Sequence, residues 1–238
     1  MRTTEWTEPG TLVFEATDDV RAAFIRRTYA HLAGAIALFA ALEWVLLVPL
    51  ADTTEKIIFA MVGTRYSWLV VLAAFMGVGW LADKWARSAT SRRMQYLGLA
   101  LYVVAEAVIF LPLLWLASAL VDSTIIPTAA IMTLAMFGGL TLIVFVTRKD
   151  FSWMRSVLSV AGLVAMGLIV CSILFGFELG TIFSAAMILL ASGYILFYTS
   201  NVMHHYRTDQ HVAAALALFA AVALLFWYIL RLLMQLRR

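Results

Sequence analysis

Seven stretches with few or no formal charges divide the chain, at 28–51, 66–82, 94–121, 123–147, 156–177, 179–206 and 212–230. A spanning helix needs ~20 mostly apolar residues to cross ~30 Å of hydrocarbon, and most of these runs reach that length. They are continuously apolar, without the alternation of roughly ten-residue barrel strands. A backbone in lipid must satisfy its own hydrogen bonds, so helices are implied. The pattern predicts an all-α polytopic membrane protein with seven transmembrane helices. It also predicts a polar segment over 1–22, which holds Glu5, Glu8, Glu15, Asp18 and Asp19, ahead of a transmembrane domain over 23–238. The shortest run ends near Lys84 and Arg87, which are expected to snorkel toward the headgroups. Gly77, Gly79, Gly138, Gly139, Gly162 and Gly167 are expected to permit close helix contacts.

Composition sharpens this picture. Of 238 residues, 64% are hydrophobic and 13% charged, against about 45–50% and 25% in a soluble domain. That excess excludes a soluble enzyme, a nucleic-acid-binding domain and a disordered chain. Lys and Arg fall between the apolar runs rather than in one patch, so no nucleic-acid partner is expected and the lipid bilayer is the first partner. Counted by alternate loops, twelve lie on the side of the N-terminus and five on the other. By the positive-inside rule the N-terminus is cytoplasmic. The run 212–230 is read as spanning; were it re-entrant, the basic tail would return to the cytoplasm. The lone Cys171 offers no disulfide or CxxC site. The polar start does not resemble a cleavable signal, and the alanine-rich runs suit a bacterial inner membrane.

Two carboxylates lie within apolar runs, where an unpaired charge costs several kcal/mol, so each is a candidate site. Glu106 is near the middle of its run. Tyr102 and Phe110, four residues before and after it, share its helix face. Pro112 removes the partner of the Val108 carbonyl and is expected to kink the helix. An acid, a phenol and a freed carbonyl at mid-depth suit a proton or cation site. Glu43, beside Trp44, is expected nearer the interface, where a carboxylate costs little, with a lesser place on an ion path. His204, His205, Asp209 and His211 are types that bind zinc, but their spacing matches no tight motif and they read as a polar loop.

Intramembrane enzyme chemistry is not expected. Ala191-Ser192-Gly193 lacks the glycine two residues ahead of a rhomboid-type serine, HExxH is absent, and the three lysines lie in loops. No glycine pair sits in a phosphate-binding context, so no cofactor or metal is expected.

Five segments resemble the Bax inhibitor-1/YccA family of seven-span membrane proteins. Phe24-Ile25-Arg26-Arg27-Thr28-Tyr29-Ala30-His31-Leu32 is similar to the start of its first span. Ala105-Glu106-Ala107-Val108-Ile109-Phe110-Leu111-Pro112-Leu113 resembles its acid-bearing third span. Thr147-Arg148-Lys149-Asp150-Phe151-Ser152 resembles the turn after the fourth, and Ser192-Gly193-Tyr194-Ile195-Leu196-Phe197-Tyr198-Thr199-Ser200-Asn201 the end of the sixth. Phe226-Trp227-Tyr228-Ile229-Leu230-Arg231-Leu232-Leu233 is similar to the family's close.

The resemblance implies six helices packed around a central seventh. It also implies a pH-sensitive calcium leak, suppression of cell death in eukaryotes, or modulation of a membrane protease in bacteria. In the family a pair of aspartates shares a proton and gates the leak. Those positions fall here on Tyr198 and Ala221, so that pair cannot form. The expectation is a cation (calcium) or proton leak with Glu106 as its acid. The alternative is a non-conducting regulator that binds a membrane protease or quality-control complex.

Overall fold

The computed structural model describes residues 10–88, 91–120 and 124–237. Arg2, Glu5, Glu8, Asp122, Arg238 and the first residue of the run at 123 lie outside the described residues. Among the described residues eight α-helices follow a 3-10 turn at Val13–Glu15. They are α1 (Asp18–Leu47), α2 (Ala51–Val62), α3 (Arg65–Ala86), α4 (Arg92–Leu120), α5 (Ile125–Thr147), α6 (Met154–Phe175), α7 (Thr181–His204) and α8 (His211–Leu236). All but α2 are long and apolar enough to cross a membrane. This is a multi-pass membrane protein.

The helices overrun the predicted apolar runs because helix propensity does not stop at the first charge. α1 begins at Asp18, ten residues early, with Asp18 and Asp19 in its first turn, where the helix dipole favours negative charge. α8 runs to Leu236, so Arg231 is a helical residue and not part of a tail. Its guanidinium donates to the Leu179 carbonyl at 3.0 Å.

The unpredicted element is α2. Its Thr54, Ile58 and Met61 recur at helical spacing and are buried, while Asp52, Glu55 and Lys56 are exposed. Such a helix, too short to span, lies along a surface. The Thr54 hydroxyl donates to the Leu46 carbonyl at 2.7 Å and ties α2 to the end of α1.

α8 is the most buried helix. α1, α3, α4, α5 and α7 pack against it, and small residues such as Ala213, Ala214, Ala217 and Ala221 let them close in. The arrangement departs from six helices around one at α6. That helix packs on α7 and α3 and reaches α8 only where Ala165 clusters with Met187 and Tyr228.

The glycines also differ from expectation. A Cβ at Gly77, Gly138, Gly139 or Gly167 would meet nothing. The close approach is at Gly98, where a Cβ would meet the Ala82 carbonyl and the Ala86 amide of α3. At Gly162, as expected, there is room for one neighbour, the Tyr194 hydroxyl.

Two loops are fastened to the end of α7. Residues 11–13 pair with the α7–α8 turn: the Val13 amide donates to the Tyr206 carbonyl at 2.9 Å and Thr208 donates back to Thr11 at 3.0 Å. Val13 is wholly buried there. The α5–α6 turn begins at Arg148, whose φ of 51° is left-handed. It is held by Ser152 donating to Asp150 Oδ1 at 2.8 Å, by Phe151 donating to Ser200 Oγ at 2.9 Å, and by His205 at 3.0 Å from Asp150.

Candidate functional site

Glu106 and Tyr102 come from the buried face of α4, as their four-residue spacing requires. Glu106 is 6% exposed, and Tyr102 is its electrostatic neighbour one turn earlier. Both face a cavity of about 410 Å³ among α3, α4, α6, α7 and α8. Tyr198 of α7 and Ala221 of α8 line the same cavity, so four of the singled-out residues converge on one space. α4 continues as a helix through Pro112. Val108 is an exposed position and is not among the cavity's lining residues. Its freed carbonyl is therefore not joined to the acid and the phenol as expected.

Toward the face that holds the α1 N-terminus, polar groups continue from the cavity. Tyr102 and Tyr198 lie within electrostatic reach of each other and of Asp83. Arg87 Nε donates to both Asp83 oxygens at 2.8 Å, and Arg87 lies within electrostatic reach of Tyr206. Burial holds the Tyr206 phenol above its ordinary range, so it remains a neutral hydroxyl. Lys84 and Arg87, the residues expected to snorkel, are both exposed at the end of α3 and both have partners. Lys84 Nζ sits 5.2 Å from the Trp80 ring centroid, and Arg87 is held by a carboxylate two turns below the cavity. At the cavity's opposite end stands Arg231. Asp83, Arg87, Tyr206 and Arg231 escaped the sequence reading, although the Asp83–Arg87 spacing of four was a signal.

Glu43 is turned into the protein, four residues before the end of α1. It is 6% exposed, and neither of its carboxyl oxygens has a hydrogen-bond partner. It lines a second cavity of about 490 Å³, among α1, α4, α5 and α8. The two cavities touch the same residue, Ala223. Aromatic rings close the space between them: Phe110 lies 5.1 Å from Phe39 and 5.6 Å from Phe226, and Tyr102 lies 6.2 Å from Phe219.

The histidines disperse. His204 is at 3.0 Å from the Ser200 carbonyl, His205 faces Asp150, and His211 meets the His31 ring at 5.0 Å. Among the described residues no three His, Cys, Asp or Glu side chains are grouped to hold a metal ion.

The family described as "Inhibitor of apoptosis-promoting Bax1" matches residues 21–238, which covers every spanning helix. The chain belongs to the Bax inhibitor family. It is 26% identical to Bax inhibitor 1 of Schizosaccharomyces pombe, over 94% of this chain and 80% of that one. An uncharacterized protein of Pseudomonas aeruginosa is 27% identical, over 66% of this chain and 69% of its own. A BI1-like protein of Arabidopsis thaliana is 30% identical over 49% and 48%. The family match takes in all of the segments whose resemblance was noted, from Phe24 to Leu233. The turn at Thr147–Ser152 has a visible structural use, since it clasps Ser200 and His205 at the end of α7.

Proposed function

We propose that this Bax inhibitor-family protein is a pH-sensitive leak for protons, with Glu106 as the acid that carries them. The observation that carries this reading is the convergence of Glu106, Tyr102 and Tyr198 on one cavity. The phenols continue toward Asp83, Arg87 and Tyr206. A proton arriving along these hydroxyls reaches Glu106 through Tyr102. Loss of that proton leaves a carboxylate that attracts the next cation. Protons are favoured over calcium because calcium takes about 6–8 oxygen ligands. The described lining offers one carboxylate and places the Arg231 cation in the same space. The positive-inside count supports a cytoplasmic N-terminus, and the relatives in Pseudomonas aeruginosa and Neisseria meningitidis support a bacterial inner membrane.

Proton and calcium fluxes into liposomes holding the purified protein, measured from acid to neutral pH beside Glu106→Gln, test this. A proton flux that depends on pH and collapses in the variant is the expected result. Equal fluxes in wild type, variant and empty liposomes would end the leak reading. They would turn attention to a regulator that binds a membrane protease, which the lost acid pair favours.

A further inference from the structure

The second cavity has an owner without a partner. Glu43 is buried and its two oxygens accept no hydrogen bond. No Lys, Arg or His lines the space. The hydroxyls that do are spoken for, with Thr133 donating to the Ala129 carbonyl at 2.7 Å and Ser118 to the Trp115 carbonyl at 3.0 Å. A carboxylate at membrane depth is tolerated when it is paired, hydrated or neutral, and a cation that entered this cavity would pair with it.

The shape says which kind. At one end α1 and α5 are bridged by rings, with Tyr29 at 5.7 Å from Phe145. Among the described residues no Cα atoms of the two helices come within 8 Å, and the cavity lies between them. The rim on that side includes Trp44 and Leu134, which are 63% and 51% exposed on the outer surface. Exposed lining residues of this kind leave the cavity open to the outer surface of the helices. Phe39, Phe219 and Phe226 line the cavity together with the acid, and aromatic ring faces attract cations. An inorganic cation would find one carboxylate among hydrocarbon, a poor exchange for its hydration shell. A volume of about 490 Å³ is the size of a small-molecule site.

We propose that this cavity binds a lipophilic organic cation, an alkylammonium whose head pairs with Glu43 and whose tail lies between α1 and α5. It enters from the bilayer, which concentrates such amphiphiles, and its fixed charge supplies the partner that Glu43 lacks. The aromatic rings that separate the two cavities make this site independent of the Glu106 leak.

The test is equilibrium binding of radiolabelled decyltrimethylammonium to the full chain in phosphatidylcholine nanodiscs, with empty nanodiscs subtracted. Saturable binding that decanol and decanoate do not displace is expected. Glu43→Gln weakens it by roughly 30-fold or more, the usual effect of removing one member of a buried charge pair. Ala130→Phe, which fills the cavity and leaves the acid in place, removes binding, and this variant decides the matter if Glu43→Gln does not fold. Glu106→Gln leaves binding unchanged. Binding to Glu43→Gln at wild-type strength, displacement by decanol as readily as by the cation, or no saturable binding to the wild type would overturn the proposal. The second of these outcomes would identify a general acyl-chain groove.

Discussion

On either side of α8 a buried glutamate faces a cavity, yet the two are built in opposite ways. Glu106 has a phenol one turn away, further phenols beyond it, and an ion pair at the end of the line. Glu43 has rings and alkyl groups only. The difference lies in which helices close the walls. Around Glu106, α3 and α4 pack backbone to backbone at Gly98, and α7 and α8 pack along their length. Around Glu43, α1 and α5 make no close backbone contact and the cavity lies between them. The same side chain in the same fold thus has polar neighbours in one cavity and apolar ones in the other.

The strongest way to break this contrast is to exchange the two acids for amides. Glu106→Gln is expected to reduce proton flux to the level of empty liposomes, while Glu43→Gln leaves it within about 2-fold, because a site off the path contributes little to the barrier. Comparable losses in both variants would merge the two cavities into one path. A gain-of-function variant sharpens the same point. Ala221→Asp adds a second carboxylate to the Glu106 cavity. It is expected to raise calcium flux above the wild-type level in the same liposomes. The equivalent change at Ala130 of the other cavity gives no flux.

Much of the Glu106 side was legible in the sequence, because a helix face can be read from a spacing of four. Glu106, Tyr102 and Phe110 do share one wall. Tyr198 and Ala221 entered through family resemblance alone, since no local pattern tells that α7 and α8 bring them to α4. The burial of Glu43 was not read from the sequence although the signal existed. Phe24, Thr28, Leu32, Ala35 and Glu43 are the buried positions of α1, and they continue at intervals of three, four and eight. An acid on an inward stripe points inward, whatever tryptophan stands beside it. α2 was invisible to a search for spans because its amphipathic run is only 12 residues long.

Packing gives the next largest effects. Gly98→Leu places a branched side chain against the Ala82 and Ala86 backbone and is expected to destabilise by about 1–3 kcal/mol. By pushing α4 away from α3, it should lower flux and leave decyltrimethylammonium binding intact. Unchanged melting would mean that the two helices are not held this closely. On the other side, Glu43→Leu replaces a buried acid lacking any partner by an apolar side chain. It is expected to raise stability by roughly 1–2 kcal/mol in ligand-free nanodiscs, read as a higher melting temperature. A fall would show that the acid is partnered in the membrane.

The smallest expected effect lies outside both cavities, at the clasp between the α5–α6 turn and α7. Burial works against the charge on Asp150, but the Ser152 amide and His205 outweigh it and hold the carboxyl below its ordinary range. A carboxyl depressed on folding contributes stability above its unfolded value and loses it as pH falls through the folded one. Acidification past the usual aspartate range should therefore loosen this turn, and Asp150→Asn should remove that part of the pH dependence. The pair is half exposed, so solvent screening limits the change to under about 1 kcal/mol. Hydrogen exchange at the Ser152 and Phe151 amides is the sensitive measurement, since both donate within the clasp. Faster exchange in the variant at neutral pH, with Glu106-dependent flux unaltered, would separate a structural clasp from the proton path. A parallel change in flux would mean that the clasp, through Ser200 two residues beyond Tyr198, positions the phenols that lead to Glu106.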